Sequence, residues 1–224
     1  MIKENNFENV KYLLSYPDGF DKSQKYPLVI FLHGAGTVSD TTEILRTNSC
    51  FLNLCKNQTE RGYVVLAPLC HATNWNELMG TLIKLVDSTR QLEFIDIKRV
   101  YLTGNSMGGY GTWMLGGLRS DWFASLMPVC GGSMVWHARA TLKNVPIRAF
   151  HGLRDDDVDP IESLEACKAV NRNGGHAELI LFPDLSHNCW DRVYTDERNY
   201  DWLLQFTTDR EKKQLDSLSG EYYG

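Results

Sequence analysis

Ser106 lies in Gly104-Asn105-Ser106-Met107-Gly108-Gly109, directly after the apolar run Val100–Gly104 and before the helix-like stretch Tyr110–Leu118. A serine on a G-x-S-x-G turn between strand and helix can act as a nucleophile, because so sharp a turn exposes its hydroxyl. Side chains at Gly104 and Gly108 would collide with neighbouring backbone, which accounts for glycine at both positions. The same turn aims the Met107 N–H, at the helix start, toward a reacting carbonyl. A dinucleotide-binding reading fails, because three residues separate the first two glycines where that fingerprint needs G-x-G-x-x-G. No P-loop lysine follows the turn.

A serine hydroxyl becomes a useful nucleophile when a neighbouring base takes its proton, and histidine is the usual base. On a strand–turn–helix nucleophile of this kind, the chain order is serine, acid, histidine. Of six histidines, His33 and His71 precede Ser106, and His137 precedes every acid candidate. His151 closes an apolar run, and His176 comes before the last such run. His187, in Asp184-Leu185-Ser186-His187-Asn188 after that last run, is the remaining candidate for the base. The acid must orient the imidazole and stabilise its charged form. His151-Gly152-Leu153-Arg154-Asp155-Asp156-Asp157-Val158-Asp159-Pro160 offers four aspartates after one strand. Asp155 comes first in the loop and is preferred, Asp156 and Asp157 stay open, and Asp159 beside Pro160 suits a helix N-cap. In His33-Gly34-Ala35-Gly36, glycines on either side of Ala35 let its N–H approach a substrate oxygen and pair with the Met107 N–H. His33 is expected to brace that loop by hydrogen bonding.

The elements that must position these groups can be read from the hydrophobic pattern. The runs Tyr26–His33, Tyr63–Pro68, Val100–Gly104, Ser125–Cys130, Pro146–His151 and Ala177–Pro183 are short, rich in Val, Ile, Leu, Phe or Tyr, and end at Gly, Pro, His or Cys. They have the look of strands buried on both faces. Lys11–Tyr16 is a weaker run, expected as an antiparallel edge strand. Helices are expected over Trp75–Gln91, over Ile161–Asn173 between Pro160 and Gly174-Gly175, and from Tyr200 to Phe206. The alternation predicts an α/β fold with a mainly parallel sheet, whose chemistry sits past the carboxyl ends of the strands. No linker or repeat interrupts it, so residues 1–224 are read as one domain, with 207–224 a polar tail.

Composition narrows the partners. A net charge of −5 gives no electrostatic case for nucleic acid or an anionic membrane surface. The polar start Met1–Asn6 lacks the apolar centre of a signal peptide, and no segment reaches the roughly 18 apolar residues of a membrane span, so a cytoplasmic setting is expected. The six cysteines form no C-x-x-C pair; they are expected to be reduced thiols, and neither metal nor cofactor is expected.

The chain resembles small α/β-hydrolase carboxylesterases. These include phospholipase/carboxylesterase and dienelactone-hydrolase-like proteins and relatives in the prolyl-oligopeptidase superfamily, and they overlap feruloyl and acetyl-xylan esterases. The resemblance runs through Tyr26–Gly36, Ala67–Cys70, Gly104–Gly109, Pro128–Gly132, Val145–Gly152, His187–Asp191 and Tyr200–Leu203. It implies an α/β-hydrolase fold, a Ser106–Asp155–His187 triad, and an oxyanion hole made by the Ala35 and Met107 N–H groups. Thr37–Thr42 and Cys70–Trp75 depart from the family pattern and are expected to border the pocket, so substrate identity does not carry over. With so short a chain no gating domain or large lid between strands is expected, which would leave an open cleft. Trp75, Trp136 and Trp190 are expected on its rim, against an aromatic acyl group or a sugar. A small ester is the expected substrate, with feruloyl or acetyl esters of plant polysaccharides as one candidate. A thioesterase or small-peptide hydrolase would use the same triad, and a non-catalytic binding protein would be expected to lack part of it.

Overall fold

The structure is a computed structural model and describes residues 1–209. Its sheet has eight strands: β1 (Ile2–Phe7), β2 (Val10–Ser15), β3 (Tyr26–Leu32), β4 (Val64–Pro68), β5 (Ile95–Asn105), β6 (Ser125–Val129), β7 (Ile147–Gly152) and β8 (Ala177–Phe182). The strand order is β1-β2-β4-β3-β5-β6-β7-β8. β2 is antiparallel to both β1 and β4, and every other neighbouring pair is parallel.

Every residue of β3, β4 and β6 is buried, as a strand covered on both faces requires. Successive side chains of a strand point to opposite faces, so β3 divides itself between two cores. Leu28, Ile30 and Leu32 pack with α3 (Met79–Arg90), α4 (Met107–Leu118), α5 (Val135–Thr141) and α6 (Ile161–Arg172). Val29 and Phe31 pack on the other face with α2 (Ser49–Arg61), α7 (Trp190–Thr195) and α8 (Glu197–Leu204). A short α1 (Glu43–Arg46) precedes α2. The Asn48 side chain caps α2 by accepting the Phe51 N–H at 3.1 Å.

The sheet differs from expectation at its first edge. β2 is antiparallel, as its pattern suggested, but it lies inside β1 rather than at the edge. β1 reads Ile-Lys-Glu-Asn-Asn-Phe and is half exposed, so ladder hydrogen bonds hold it and no apolar alternation announces it. α3 begins at Met79, not Trp75. The Asn74 side chain accepts the Asn76 N–H at 3.0 Å, and Trp75 is held in a turn through Leu78. α8 begins three residues before Tyr200, because Asp196 accepts the Arg198 N–H and caps it. The expected tail falls outside the described residues from 210 onward; before that, Thr208 N–H donates to the Lys98 carbonyl and Asp209 pairs with Lys98. All six cysteines are free. Among the described residues, no helix is long and apolar enough to cross a membrane.

Candidate active site

β5 runs into α4 through Ser106, whose φ of 56° and ψ of −120° are strained for a residue with a side chain. Close approach of backbone enforces the turn. A Cβ at Gly104 would lie 2.5 Å from the carbonyl oxygens of Leu32 and Gly108, and one at Gly108 only 1.8 Å from that of Leu32. Neither neighbour is a side chain that can swing away. Gly108→Ala is therefore expected to cost at least the upper part of the about 1–3 kcal/mol typical of overpacking, read as a lowered Tm. An unchanged Tm would mean that the β3–α4 contact is looser than these distances.

The predicted residues converge at the carboxyl ends of β5, β7 and β8. Ser106 Oγ lies 2.8 Å from His187 Nε2. His187 Nδ1 lies 2.7 Å from Asp155 Oδ2. The other carboxylate oxygen, Oδ1, accepts the N–H groups of Asp157 at 3.0 Å and Val158 at 2.9 Å. Burial pushes the Asp155 carboxyl up. The Val158 N–H, the His187 ring and the Asp157 N–H outweigh it and hold the group below its ordinary value. Asp156 and Asp157 are exposed, while Asp155 is buried. Asp157 stays close, and its carboxylate, that of Asp155 and a His187 ring nitrogen lie within 4.8 Å of one another. The Asp159 side chain accepts the Ile161 N–H at the start of α6.

Opposite the serine, Ala35 opens a single 3-10 turn after β3, and Met107 is the first residue of α4. The first N–H groups of a helix have no intrahelical acceptor, so the Met107 N–H is a donor without a helical partner. His33 braces this loop. Its Nδ1 lies 2.8 Å from the Gly34 carbonyl, and its Nε2 accepts the Cys70 N–H at 2.9 Å, so the ring's proton sits on Nδ1. Burial lowers the His33 pKa to about 4, which keeps the ring neutral.

The three tryptophans part company. Trp75, expected on the rim, is 1% exposed and donates its indole N–H to the His33 carbonyl at 3.0 Å. Satisfying that buried carbonyl drew it inward, although it still forms part of a cavity wall. Trp136 on α5 is 65% exposed. The Trp190 ring meets His187 edge-on, with centroids 5.4 Å apart. A cavity of about 340 Å³ adjoins the serine turn, lined by Asn74, Trp75, Asn76, Met107, Tyr110 and Gly111. Of residues 70–75 only Asn74 and Trp75 line this cavity, and none of 37–42 does. A larger cavity of about 850 Å³ lies along β8 and includes none of Ser106, Asp155 and His187. Reading the chain alone passed over Tyr110 and over His151, whose Nε2 lies 3.1 Å from Asp155 Oδ2.

The arrangement can move the Ser106 proton to His187 and stabilise the resulting imidazolium against Asp155, which is acyl-transfer chemistry. No protein-family model matches the chain. It is 23% identical over 223 residues to dipeptidyl-peptidase 5 of Porphyromonas gingivalis, matching 76% of this chain but spanning only 32% of that protein. It is 28% identical over 182 residues to a probable feruloyl esterase C of Aspergillus terreus, covering 75% of this chain and 64% of the relative. The crystal structure of a thermostable esterase superposes with a TM-score of 0.73 at 26% identity, over 92% of this chain and 63% of the other. The chain has the α/β-hydrolase fold, with a mostly parallel eight-stranded sheet between two layers of helices.

Proposed function

We propose that this protein is a serine hydrolase that cleaves small carboxylic esters through an acyl-enzyme. The observation that carries the proposal is the continuous path Ser106 Oγ–His187 Nε2, 2.8 Å, and His187 Nδ1–Asp155 Oδ2, 2.7 Å. In this reading His187 takes the Ser106 proton as Oγ attacks the ester carbonyl. The oxyanion so formed accepts the N–H groups of Ala35 and Met107. The imidazolium then returns its proton to the leaving alcohol, and water, activated by the same ring, releases the acid.

The cavity beside Met107 suits a modest acyl or alcohol group, with aromatic walls from Trp75 and Tyr110 and amide groups from Asn74 and Asn76. Trp190 stands beside the base, where it can pack on whichever part of the substrate leaves. Feruloyl or acetyl esters of plant polysaccharides fit this description, and the likeness to a probable feruloyl esterase supports the first. The likeness to dipeptidyl-peptidase 5 supports peptide hydrolysis as a second reading. The test is a kinetic panel of p-nitrophenyl acetate and butyrate, an acyl-thioester, methyl ferulate, acetylated xylan and a dipeptide p-nitroanilide. Ester turnover is expected to exceed anilide turnover in kcat/KM; the reverse order would replace the esterase reading with the peptidase one.

A further inference from the structure

His151 ends β7, and neither its side chain nor that of Asp155 has any exposed surface. Its Nε2 faces two acceptors, the Val158 carbonyl oxygen at 2.9 Å and Asp155 Oδ2 at 3.1 Å. A buried ring nitrogen between two acceptors must carry a proton, since a lone pair there would oppose two others. At the far side of the ring, Ser163 Oγ lies 2.8 Å from Nδ1 and 2.6 Å from the Gly131 carbonyl oxygen, so both ring nitrogens are held. Burial lowers the His151 pKa, against the Val158 carbonyl and Asp155, which raise it. The single Ser163 hydroxyl proton goes to the Gly131 carbonyl, so its oxygen faces Nδ1 as an acceptor, while the contacts at Nε2 call for a proton there.

Asp155 Oδ2 therefore lies beside two imidazoles: it is hydrogen-bonded to His187 Nδ1 at 2.7 Å, and His151 Nε2, which bonds the Val158 carbonyl, stands 3.1 Å away. We infer that His151 is a positioning residue for the reaction, whose Nε2–H shares Asp155 Oδ2 with His187, fixes the carboxylate's orientation and limits its hold on the His187 proton. This rests on the serine-hydrolase reading of Ser106, His187 and Asp155. With the His151 donor gone, Oδ2 turns its full charge toward the His187 N–H and favours the imidazolium. The base then stays occupied by its proton to higher pH, and the acidic limb of the kcat/KM profile moves upward. The other ionisable groups near the carboxylate are Asp157, Tyr110 and Cys130, with Glu162 beside Tyr110. None is altered by a change at 151, so a shift reports the lost donor.

The experiment compares wild type, His151→Leu and His151→Gln in kcat/KM for p-nitrophenyl butyrate across the pH range. His151→Leu is expected to raise the acidic limb by about one pH unit and to lower the plateau by up to about 10²-fold. Glutamine carries an amide nitrogen to the Nε2 position and is expected to bring the limb back to the wild-type value. A folded leucine variant with reduced activity and an unmoved limb would overturn the inference, because loss of mere support scales the curve without displacing it. Imidazole nitrogen NMR on the wild-type protein tests the same point without a substitution. His151 is expected to be protonated at Nε2, and a ring protonated at Nδ1 alone would also overturn it. Ser106→Ala, run in parallel, separates the two levels. Activity retained there removes the hydrolase reading itself, whereas activity lost there beside an unmoved limb removes only the role of His151.

Discussion

Ser106→Ala is expected to lower kcat for p-nitrophenyl butyrate by about 10⁵–10⁶-fold, or about 7–8 kcal/mol of transition-state stabilisation. The substitution deletes the atom that would bond to the acyl carbon, so what remains is catalysis by positioning and by the N–H donors of Ala35 and Met107. KM should change little, since the cavity walls are untouched. The fold should survive as well. The Ser106 backbone is held by its N–H to the Val129 carbonyl at 2.9 Å, and its hydroxyl is hydrogen-bonded to His187, the one such partner among the described residues. Fluorophosphonate labelling should vanish together with turnover. A variant that keeps more than about 1% of wild-type kcat, far above the residual expected from the remaining groups, would mean that the nucleophile lies elsewhere.

Asp155→Asn should cost about 10⁴-fold in kcat, or about 5 kcal/mol, and the geometry gives the reason. Both carboxylate oxygens face donors only: Oδ1 accepts the Asp157 and Val158 N–H groups, and Oδ2 faces His187 and His151. An asparagine amide must turn its NH₂ toward one pair or the other. Turned inward, it forces His187 to accept at Nδ1, which places the ring proton on Nε2 and removes the lone pair that would receive the serine proton. Turned outward, it opposes two backbone donors and opens the loop. Asp156→Asn and Asp157→Asn should each change kcat by less than about tenfold, since neither supplies the oxygen bonded to His187 and exposed charges act weakly. If Asp157→Asn loses activity and Asp155→Asn keeps it, the acid is Asp157, whose carboxylate also lies close to His187.

These two expectations meet at one carboxylate. Asp155 orients the base through Oδ2 and is itself anchored through Oδ1 to the loop that leads into α6. Three hydrogen bonds to one buried carboxylate, with the His151 ring 3.1 Å away, explain why its charge is tolerated there. They also explain why removing one of them is expected to appear in the pH profile before it appears in stability.

The local chain determined the features that depend on neighbours in sequence. Gly104 and Gly108 around Ser106, set between an apolar run and a helical one, mark a tight turn in the sequence itself, although the backbone that requires glycine there includes Leu32 of β3. The alternation of short apolar runs with helical stretches specified an α/β sheet, because strands buried on both faces cannot avoid being apolar. Features that depend on contacts between distant segments were decided only by tertiary structure. β1 is polar because an edge strand needs backbone pairing more than burial, so nothing in its composition marks it. Trp75 looked like a rim residue until the His33 carbonyl, 42 positions earlier, drew its indole inward. Among three adjacent aspartates the sequence favoured Asp155 only by its place in the loop; the curl of that loop left Asp155 buried on His187 and Asp156 exposed. His151 was set aside as a strand end, because a histidine four residues from an aspartate acquires meaning only when the chain folds back and both point to one oxygen. Ser106 was legible in its own pentapeptide, but the path for its proton exists only where three strand ends meet.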